Sequence, residues 1–279
     1  MSGKLYEYYS PGALSIKPQP GEQILNTTRP SLTLLLCLSF VIAAGLACGS
    51  TDAPDDVAPV ANAPATSPNS AAPAAPSQAA ASDIGGDYAV TGTNPNGTNY
   101  NGNLTVTKRD EVYQFSWTSG DREYDGVGVR TDNTVAVSFT QGADGKGCGV
   151  VLYKVGADGS LDGRSGYWGV NTSETEKAVR TSGGGLRGTY DVTGKNPNGA
   201  DYKGKLAVNK QGAGFSFQWD IGGTPFTGFG IQSGDKAAVG FGGQQCGFVS
   251  YEINADGSLE GKWGGQGSTV TGTEVARKR

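Results

Sequence analysis

Apolar and polar side chains alternate along many short stretches of this chain, which is the pattern of a β-strand with one buried face. In one such stretch the aromatic residues Tyr113, Phe115 and Trp117 lie on one face, and polar residues lie between them. Glycine accounts for 46 of the 279 residues and disfavours helices, because a Gly inside a helix costs about 1 kcal/mol relative to Ala. The pattern therefore predicts an all-β protein.

A repeat divides the β-rich part of the chain into two copies. The segment GTNPNGTNYNG at 92–102 returns as GKNPNGADYKG at 194–204, an offset of 102 residues. Cys148 and Cys246, each followed by Gly, lie only 98 residues apart, so the second copy has lost four residues in a loop before its cysteine. The NPNG segment has the composition of a tight turn, because Pro restricts φ and Gly accepts a positive φ without a Cβ clash.

The repeat predicts two β domains, one at 84–182 and one at 183–279. Each copy contains seven or eight short strands separated by short turns, and such turns join antiparallel neighbours because parallel crossovers need a longer connection. Closing each sheet into a barrel removes its exposed edges. We therefore expect two tandem small antiparallel meander β-barrels, whose topology resembles that of the calycins. A β-sandwich in each copy, or one continuous sheet shared by both copies, is the alternative.

The N-terminal part of the chain has the features of an export signal. An uncharged apolar run from Leu32 to Ala47 is shorter than the roughly 20 residues of a spanning helix. The sequence AGLAC at its end resembles the lipobox of bacterial lipoproteins, in which the cysteine is acylated and becomes the new N-terminus. The resemblance implies a signal peptide at 1–47 and a fatty acid such as palmitate on Cys48. An ordinary secretory signal or an uncleaved anchor is the alternative.

A linker of Ala, Pro and Ser is predicted at 48–83, since such a composition buries too little apolar surface to offset the entropy of ordering. Its extended length would be at most about 3.1 Å per residue, or roughly 100 Å. No Asp follows Cys48 directly. By resemblance to lipoprotein sorting, this favours a lipid anchor in the outer membrane, on either its surface or its periplasmic face.

Composition narrows the chemistry that is available to the chain. There is no His, which excludes Ser-His-Asp and Cys-His catalytic arrangements and His-based zinc sites. The net charge of −4 gives no reason to expect nucleic-acid binding, which normally requires a basic surface. We expect no enzyme activity, no cofactor and no metal site. A hydrolase that uses a pair of carboxylates is the alternative.

Six residues are the candidate site residues of the two modules. Cys148 and Cys246 occupy equivalent positions, and they form either one disulfide or two buried thiols, since an exported protein enters an oxidising compartment. Tyrosines directly after the NPNG turns are expected at a barrel mouth, and tryptophans on the aromatic faces either line a ligand pocket or belong to the core. The candidate ligand contacts are Tyr100, Tyr202, Trp117 and Trp219.

The complete module pattern resembles a group of exported bacterial proteins that are labelled fibronectin-binding. It reads Y-x-V-x-G-x-N-P-N-G-x-x-Y-x-G, followed by aromatic-x-W, G-x-G and Cys-Gly, and it covers both copies. The resemblance implies a membrane-anchored surface lipoprotein that acts in adhesion. Its partner would be a macromolecule, either a host extracellular matrix protein or an envelope polymer. A small-molecule carrier in a calycin-like barrel, or a structural envelope protein, is the alternative.

Overall fold

The computed structural model describes residues 83–142, 145, 147–196, 198–243 and 245–279. The predicted signal peptide, Cys48 and the predicted linker up to residue 82 lie outside these residues. The described part of the chain contains strands and turns, and it holds no helix that could span a membrane.

Sixteen strands form in chain order. They are β1 (Gly86–Thr93), β2 (Asn99–Arg109), β3 (Val112–Ser119), β4 (Arg122–Thr131), β5 (Thr134–Gln141), β6 (Cys148–Val155), β7 (Leu161–Tyr167), β8 (Glu174–Gly184), β9 (Arg187–Lys195), β10 (Asp201–Gln211), β11 (Gly214–Ile221), β12 (Thr224–Ser233), β13 (Lys236–Gly242), β14 (Gly247–Ile253), β15 (Leu259–Gly264) and β16 (Gly272–Lys278).

These strands close into two antiparallel barrels of eight strands each. The first barrel consists of β1–β5 and β14–β16, and β1 and β16 pair to close it. The second barrel consists of β6–β13, and β6 pairs with β13 to close it. The prediction of an all-β protein with two small antiparallel barrels is therefore confirmed.

The barrels do not coincide with the two sequence copies at 84–182 and 183–279. Strands β6–β8 belong to the first copy but complete the barrel of the second, and β14–β16 do the converse. As a result, Val137 of β5 pairs with Val249 of β14. The expectation that each copy closes on itself is wrong, because the exchanged strands carry the same side-chain pattern. The residue equivalent to Val249 in the first copy is Val151, so the exchange replaces one Val–Val pair by another.

Stacked aromatic rings fill the interior of each barrel. In the first barrel, the Phe115 ring stacks on Trp117 and on Tyr251, with ring centroids 5.5 and 6.1 Å apart. The equivalent three rings of the second barrel stack in the same way at 5.7 and 6.2 Å. Their dispersion contacts and burial supply the main apolar contribution to stability at the centre of each barrel.

A buried tyrosine closes one end of each barrel. The Tyr88 hydroxyl donates a hydrogen bond to the carbonyl of Ile84 at 2.6 Å, and the Tyr190 hydroxyl donates to the carbonyl of Leu186 at 2.7 Å. Both Ile84 and Leu186 are buried in the cores. We call this end the base of the barrel, and the opposite end, which carries the NPNG turn, the mouth.

The two barrels pack side by side through apolar residues on their outer faces. Strands β4 and β5 of the first barrel face β6 and β13 of the second, which explains why both faces of β5 are buried. A glycine allows the close approach, because a Cβ at Gly166 would lie 3.0 Å from the Val129 side chain. The shared cluster comprises Val112, Val127, Val129, Ala136, Val150, Leu152 and Ala238.

A disulfide joins the two places where the chain passes between the barrels. Cys148 begins β6 and Cys246 lies directly before β14, and their Cα atoms are 5.7 Å apart. Of the two alternatives for these cysteines, the disulfide is therefore the arrangement in the structure. The bond closes a loop with a sequence separation of 98 residues. Cross-links of this kind typically stabilise a protein by roughly 2–4 kcal/mol.

Candidate functional site

Each barrel contains a buried glutamate that the sequence analysis did not identify. Glu176 on β8 and Glu274 on β16 are repeat equivalents, and they are 7% and 6% exposed. Both alternate with exposed residues along their strands, so their side chains point into the barrels. A buried carboxyl group is costly unless hydrogen-bond donors surround it.

Three donors surround Glu274 in the first barrel. The Tyr100 hydroxyl donates to Oε2 at 2.7 Å, and the Trp117 indole Nε1 donates to Oε1 at 3.0 Å. The Tyr251 hydroxyl donates to the same Oε1. The donors come from β2, β3 and β14, so this cluster joins strands from both sequence copies.

The same three donors surround Glu176 in the second barrel. The Tyr202 hydroxyl donates to Oε2 at 2.8 Å, and the Trp219 Nε1 donates to Oε1 at 3.2 Å. The Tyr153 hydroxyl completes the set. Here β10 and β11 come from the second copy, while β6 and β8 come from the first.

Protonation supports this arrangement of donors and acceptor. Burial raises the pKa of Glu176 and Glu274, and the hydrogen bonds from the three donors offset part of that rise. Burial, followed by the charge of Glu274, raises the pKa of Tyr100 and Tyr251 above the usual range. The same causes act on the two tyrosines that contact Glu176. The phenols therefore stay protonated and donate.

The four predicted ligand contacts are thus all members of these two clusters. Trp117 and Trp219 are only 8% and 3% exposed and lie in the cores, while Tyr100 and Tyr202 are partly buried near the mouths. A signal for the missing acid was present in the sequence. Glu274 alternates with outward residues and precedes an inward Ala276 by two positions, which places it on the buried face of its strand.

The two mouths differ at one cross-strand pair. In the first barrel, Trp263 on β15 pairs with Gly272 on β16, and a Cβ at Gly272 would lie 2.6 Å from the indole ring. At the equivalent positions of the second barrel, Ser165 on β7 pairs with Glu174 on β8. A large and a minimal residue are therefore replaced by a small residue and an acid.

Glu174 gives the second barrel an additional buried carboxyl group. It is 4% exposed, and its Oε1 atom accepts no hydrogen bond from the described residues. Burial, followed by the charge of Glu176, raises the pKa of Glu174 to about 8. A carboxyl group in this state gains from any donor or cation that reaches it.

An open groove lies on the outer surface of the first barrel beside the NPNG turn. Its volume is about 610 Å³, and it crosses β2, β1 and β16. Neutral polar side chains line it, and the Thr93 and Thr273 hydroxyls are hydrogen-bonded to each other at 2.7 Å. The polar lining residues are Thr91, Thr93, Asn99, Asn101 and Thr273. We call this groove 1.

A groove with a different lining lies at the equivalent place on the second barrel. Its volume is about 360 Å³, and it crosses β7, β8, β9 and the start of β10. Charges of both signs line it, including a salt bridge of 2.6 Å between Lys195 and Asp201. The polar and charged residues on its outer face are Asp162, Thr175, Lys177, Thr193, Lys195 and Asp201. We call this groove 2.

The turn beside groove 1 is held in a defined conformation. The Gly97 amide donates to the carbonyl of Asn94 at 2.8 Å, and the Asn94 amide donates to the carbonyl of Thr98 at 2.7 Å. Gly97 has a φ of 84°, in the left-handed region that favours glycine. The corresponding amide of Gly199 makes the same bond beside groove 2. The turns therefore form fixed borders of the grooves.

Comparisons of the chain with protein-family models, with curated proteins and with solved structures found no match. The resemblance to lipoproteins and to fibronectin-binding proteins therefore stays a prediction. Among the described residues, no group of three or more Cys, Asp or Glu side chains is arranged to hold a metal ion.

Replacing Glu274 by Ala should lower the free energy of unfolding by about 3 kcal/mol, because three buried donors lose their acceptor. Urea denaturation monitored by tryptophan fluorescence measures this change. Glu260→Ala, on the exposed face of β15, is the matched control and should have little effect. Equal unfolding midpoints for the two variants would contradict a structural role for the buried cluster.

Glu174 should make the protein less stable as pH rises from about 4.5 to about 8. In that range the unfolded chain releases the Glu174 proton, whereas the folded chain retains it, so folding binds a proton and weakens as protons become scarce. The groups that face Glu174 include Glu176, Tyr167 and Tyr202.

Glu174→Gln removes this contribution and leaves the other titrating groups in place. The melting temperature of the wild type should therefore fall more steeply than that of the variant between these pH values. Parallel melting curves for the two proteins across the whole range would contradict the assignment.

Proposed function

We propose that this chain is a non-enzymatic binding protein of the bacterial cell envelope that engages a macromolecular partner through grooves 1 and 2. The observation that carries the proposal is that both barrels have an outward groove at the same place, bordered by the same NPNG turn. A duplicated surface feature on a rigid β scaffold is a common way to present a binding site, since loops and grooves recognise while the scaffold fixes their geometry.

The linings of the grooves indicate what a partner must present. Groove 1 offers hydroxyl and amide groups, whereas groove 2 offers Lys177 and Lys195 beside Asp162 and Asp201. A partner therefore meets neutral hydrogen-bonding groups on one barrel and paired charges on the other. The two grooves are related by position but differ in chemistry, so they are suited to two different parts of one partner.

The packing of the barrels supports simultaneous use of both grooves. The apolar cluster between the barrels and the disulfide hold the two barrels together. Once one groove is occupied, the second binds at a high effective concentration, and weak individual contacts add to a useful affinity. The benefit requires a partner whose two contact regions match the spacing of the grooves.

The favoured partner is an extracellular matrix protein, on the basis of the module resemblance. The lipobox resemblance at Cys48 and the Ala, Pro and Ser linker support a membrane anchor with the barrels held away from the lipid. A carrier for an enclosed apolar molecule has less support, because stacked rings such as Phe115, Trp117 and Tyr251 occupy the interior.

Arg substitutions in the grooves test the binding surface. Thr91→Arg and Thr193→Arg place a long side chain at equivalent points of grooves 1 and 2, and together they should reduce retention on immobilised fibronectin by roughly tenfold or more. The protein used is the mature chain, residues 48–279, with Cys48→Ser. Surface plasmon resonance measures the change.

Thr118→Arg and Thr227→Arg are the matched controls, since both residues are exposed on strands outside the grooves. Equal losses in the control and groove variants would contradict the grooves as the binding surface. If the wild type binds purified envelope polymer and not matrix proteins, the partner class is the polymer. If it retains neither, the binding function is wrong and a structural role in the envelope is favoured.

The anchor is tested by metabolic labelling of cells that express the full chain. Radiolabelled palmitate should enter the wild type, and Cys48→Ser should abolish both the label and recovery of the protein in the membrane fraction. Cys148→Ser is not a suitable control, because it breaks the disulfide. Thr51→Ser, three residues after the acylation position, keeps Cys48 and should incorporate palmitate like the wild type. An unlabelled wild type would rule out the anchor without affecting the groove experiment.

A further inference from the structure

The mouth of the second barrel contains a buried acid where the first barrel has none. The donor clusters below the two mouths consist of the same residue types, yet Glu174 and Ser165 stand where the first barrel has Gly272 and Trp263. In the first barrel the indole fills this layer. In the second barrel the layer contains a carboxyl group instead.

The position of Glu174 aims its carboxyl group into the mouth. Glu174 begins β8 and precedes the inward Glu176 by two residues, so both side chains lie on the inner face. The donors of the lower cluster are directed at Glu176, whereas the Oε1 atom of Glu174 accepts no hydrogen bond among the described residues. Glu174 is nevertheless 96% buried, as its exposed fraction of 4% indicates. This atom is a vacant acceptor.

Aromatic rings lie in the same layer of the barrel. Tyr167 at the end of β7 packs edge-on against Phe241, with ring centroids 5.4 Å apart. Phe226, at the start of β12, lies 5.8 Å from Phe241 and stacks on Trp219 at 4.9 Å. Tyr167 and Phe226 are only partly buried, so these rings can be reached from the mouth.

A carboxylate beside aromatic faces is the combination that recognises an organic cation. The carboxylate accepts a charge-assisted hydrogen bond, and the negative faces of the rings attract the positive group and cover its alkyl part. A neutral or anionic ligand would gain nothing from Glu174. A hydrated metal ion would gain nothing from the rings.

We propose that the mouth of the second barrel binds an alkylammonium group, which donates to Oε1 of Glu174 and packs its alkyl part against Tyr167 and Phe226. This site is separate from the two grooves and does not depend on the function proposed for them. The same chemical group occurs in free amines and in lysine side chains. The mouth of the first barrel lacks the acid and does not bind the cation.

Isothermal titration calorimetry with n-butylammonium chloride tests the site in the mature chain, residues 48–279, with Cys48→Ser. The wild type should bind one equivalent, and n-butanol, which has the same alkyl chain without the charge, should not bind. Glu174→Gln should weaken binding by roughly tenfold or more, because the charged acceptor is lost. Thr175→Ala, the next residue on the outer face, is the matched control and should bind like the wild type.

A second variant transfers the layer of the first barrel into the second. Ser165→Trp combined with Glu174→Gly recreates a residue pair that the first barrel already accommodates, and it should abolish binding. Circular dichroism and the melting temperature show whether each variant is folded. If this double variant does not fold, Glu174→Gln, which keeps the size of the side chain, decides.

Three outcomes would overturn the proposal: no heat of binding in the wild type, equal binding of butanol, or equal affinity in Glu174→Gln. A lysine-containing peptide with blocked termini distinguishes the source of the group. Binding of the peptide as tightly as the free amine supports insertion of a partner's lysine side chain. Binding of the free amine alone supports a small-molecule ligand. Both results support the alkylammonium site.

Discussion

A carboxyl group inside a small barrel is tolerated only when hydrogen-bond donors surround it, and here those donors come from strands of both sequence copies. Glu274 is held by Tyr100 and Trp117 of the first copy and by Tyr251 of the second. The polar cluster therefore forms only when β2, β3, β14 and β16 belong to one barrel. Because the aromatic donors are also the rings that fill the interior, polar satisfaction and apolar packing select the same closed arrangement.

Much of this fold could be predicted from the sequence, and the exchange of strands could not. Alternating residues and NPNG turns specify strands and hairpins locally, and edge removal favours closure into barrels. Strand exchange leaves these signals unchanged. Val137 meets Val249 in the structure and would meet Val151 without exchange, so neither arrangement is favoured by the residues that pair. The choice depends on how the connections near 142–147 and 243–246 pass between the barrels.

The candidate residues were predictable as a set, but their roles were not. Tyr100 and Trp117 were selected as aromatic residues near a mouth, and the structure places both beside Glu274. An acid within an alternating strand gives no indication in sequence of whether its partners are present, because they come from distant strands. The pair of Ser165 and Glu174 shows the same limit. Its meaning emerges only by comparison with Trp263 and Gly272 at the equivalent place in the other barrel.

The positions of the two ends of the described chain determine how a mechanical load is carried. Strands β1 and β16 are neighbours, and the Arg279 amide donates to the carbonyl of Asp87 at 3.0 Å, so both ends emerge at the base of the first barrel. Tension applied through residue 83 acts first on β1, which is held by β2 and β16 along its length. The second barrel is inserted between β5 and β14 and stands outside this path. Shear at the attachment point therefore strains the first barrel, while the second remains relaxed.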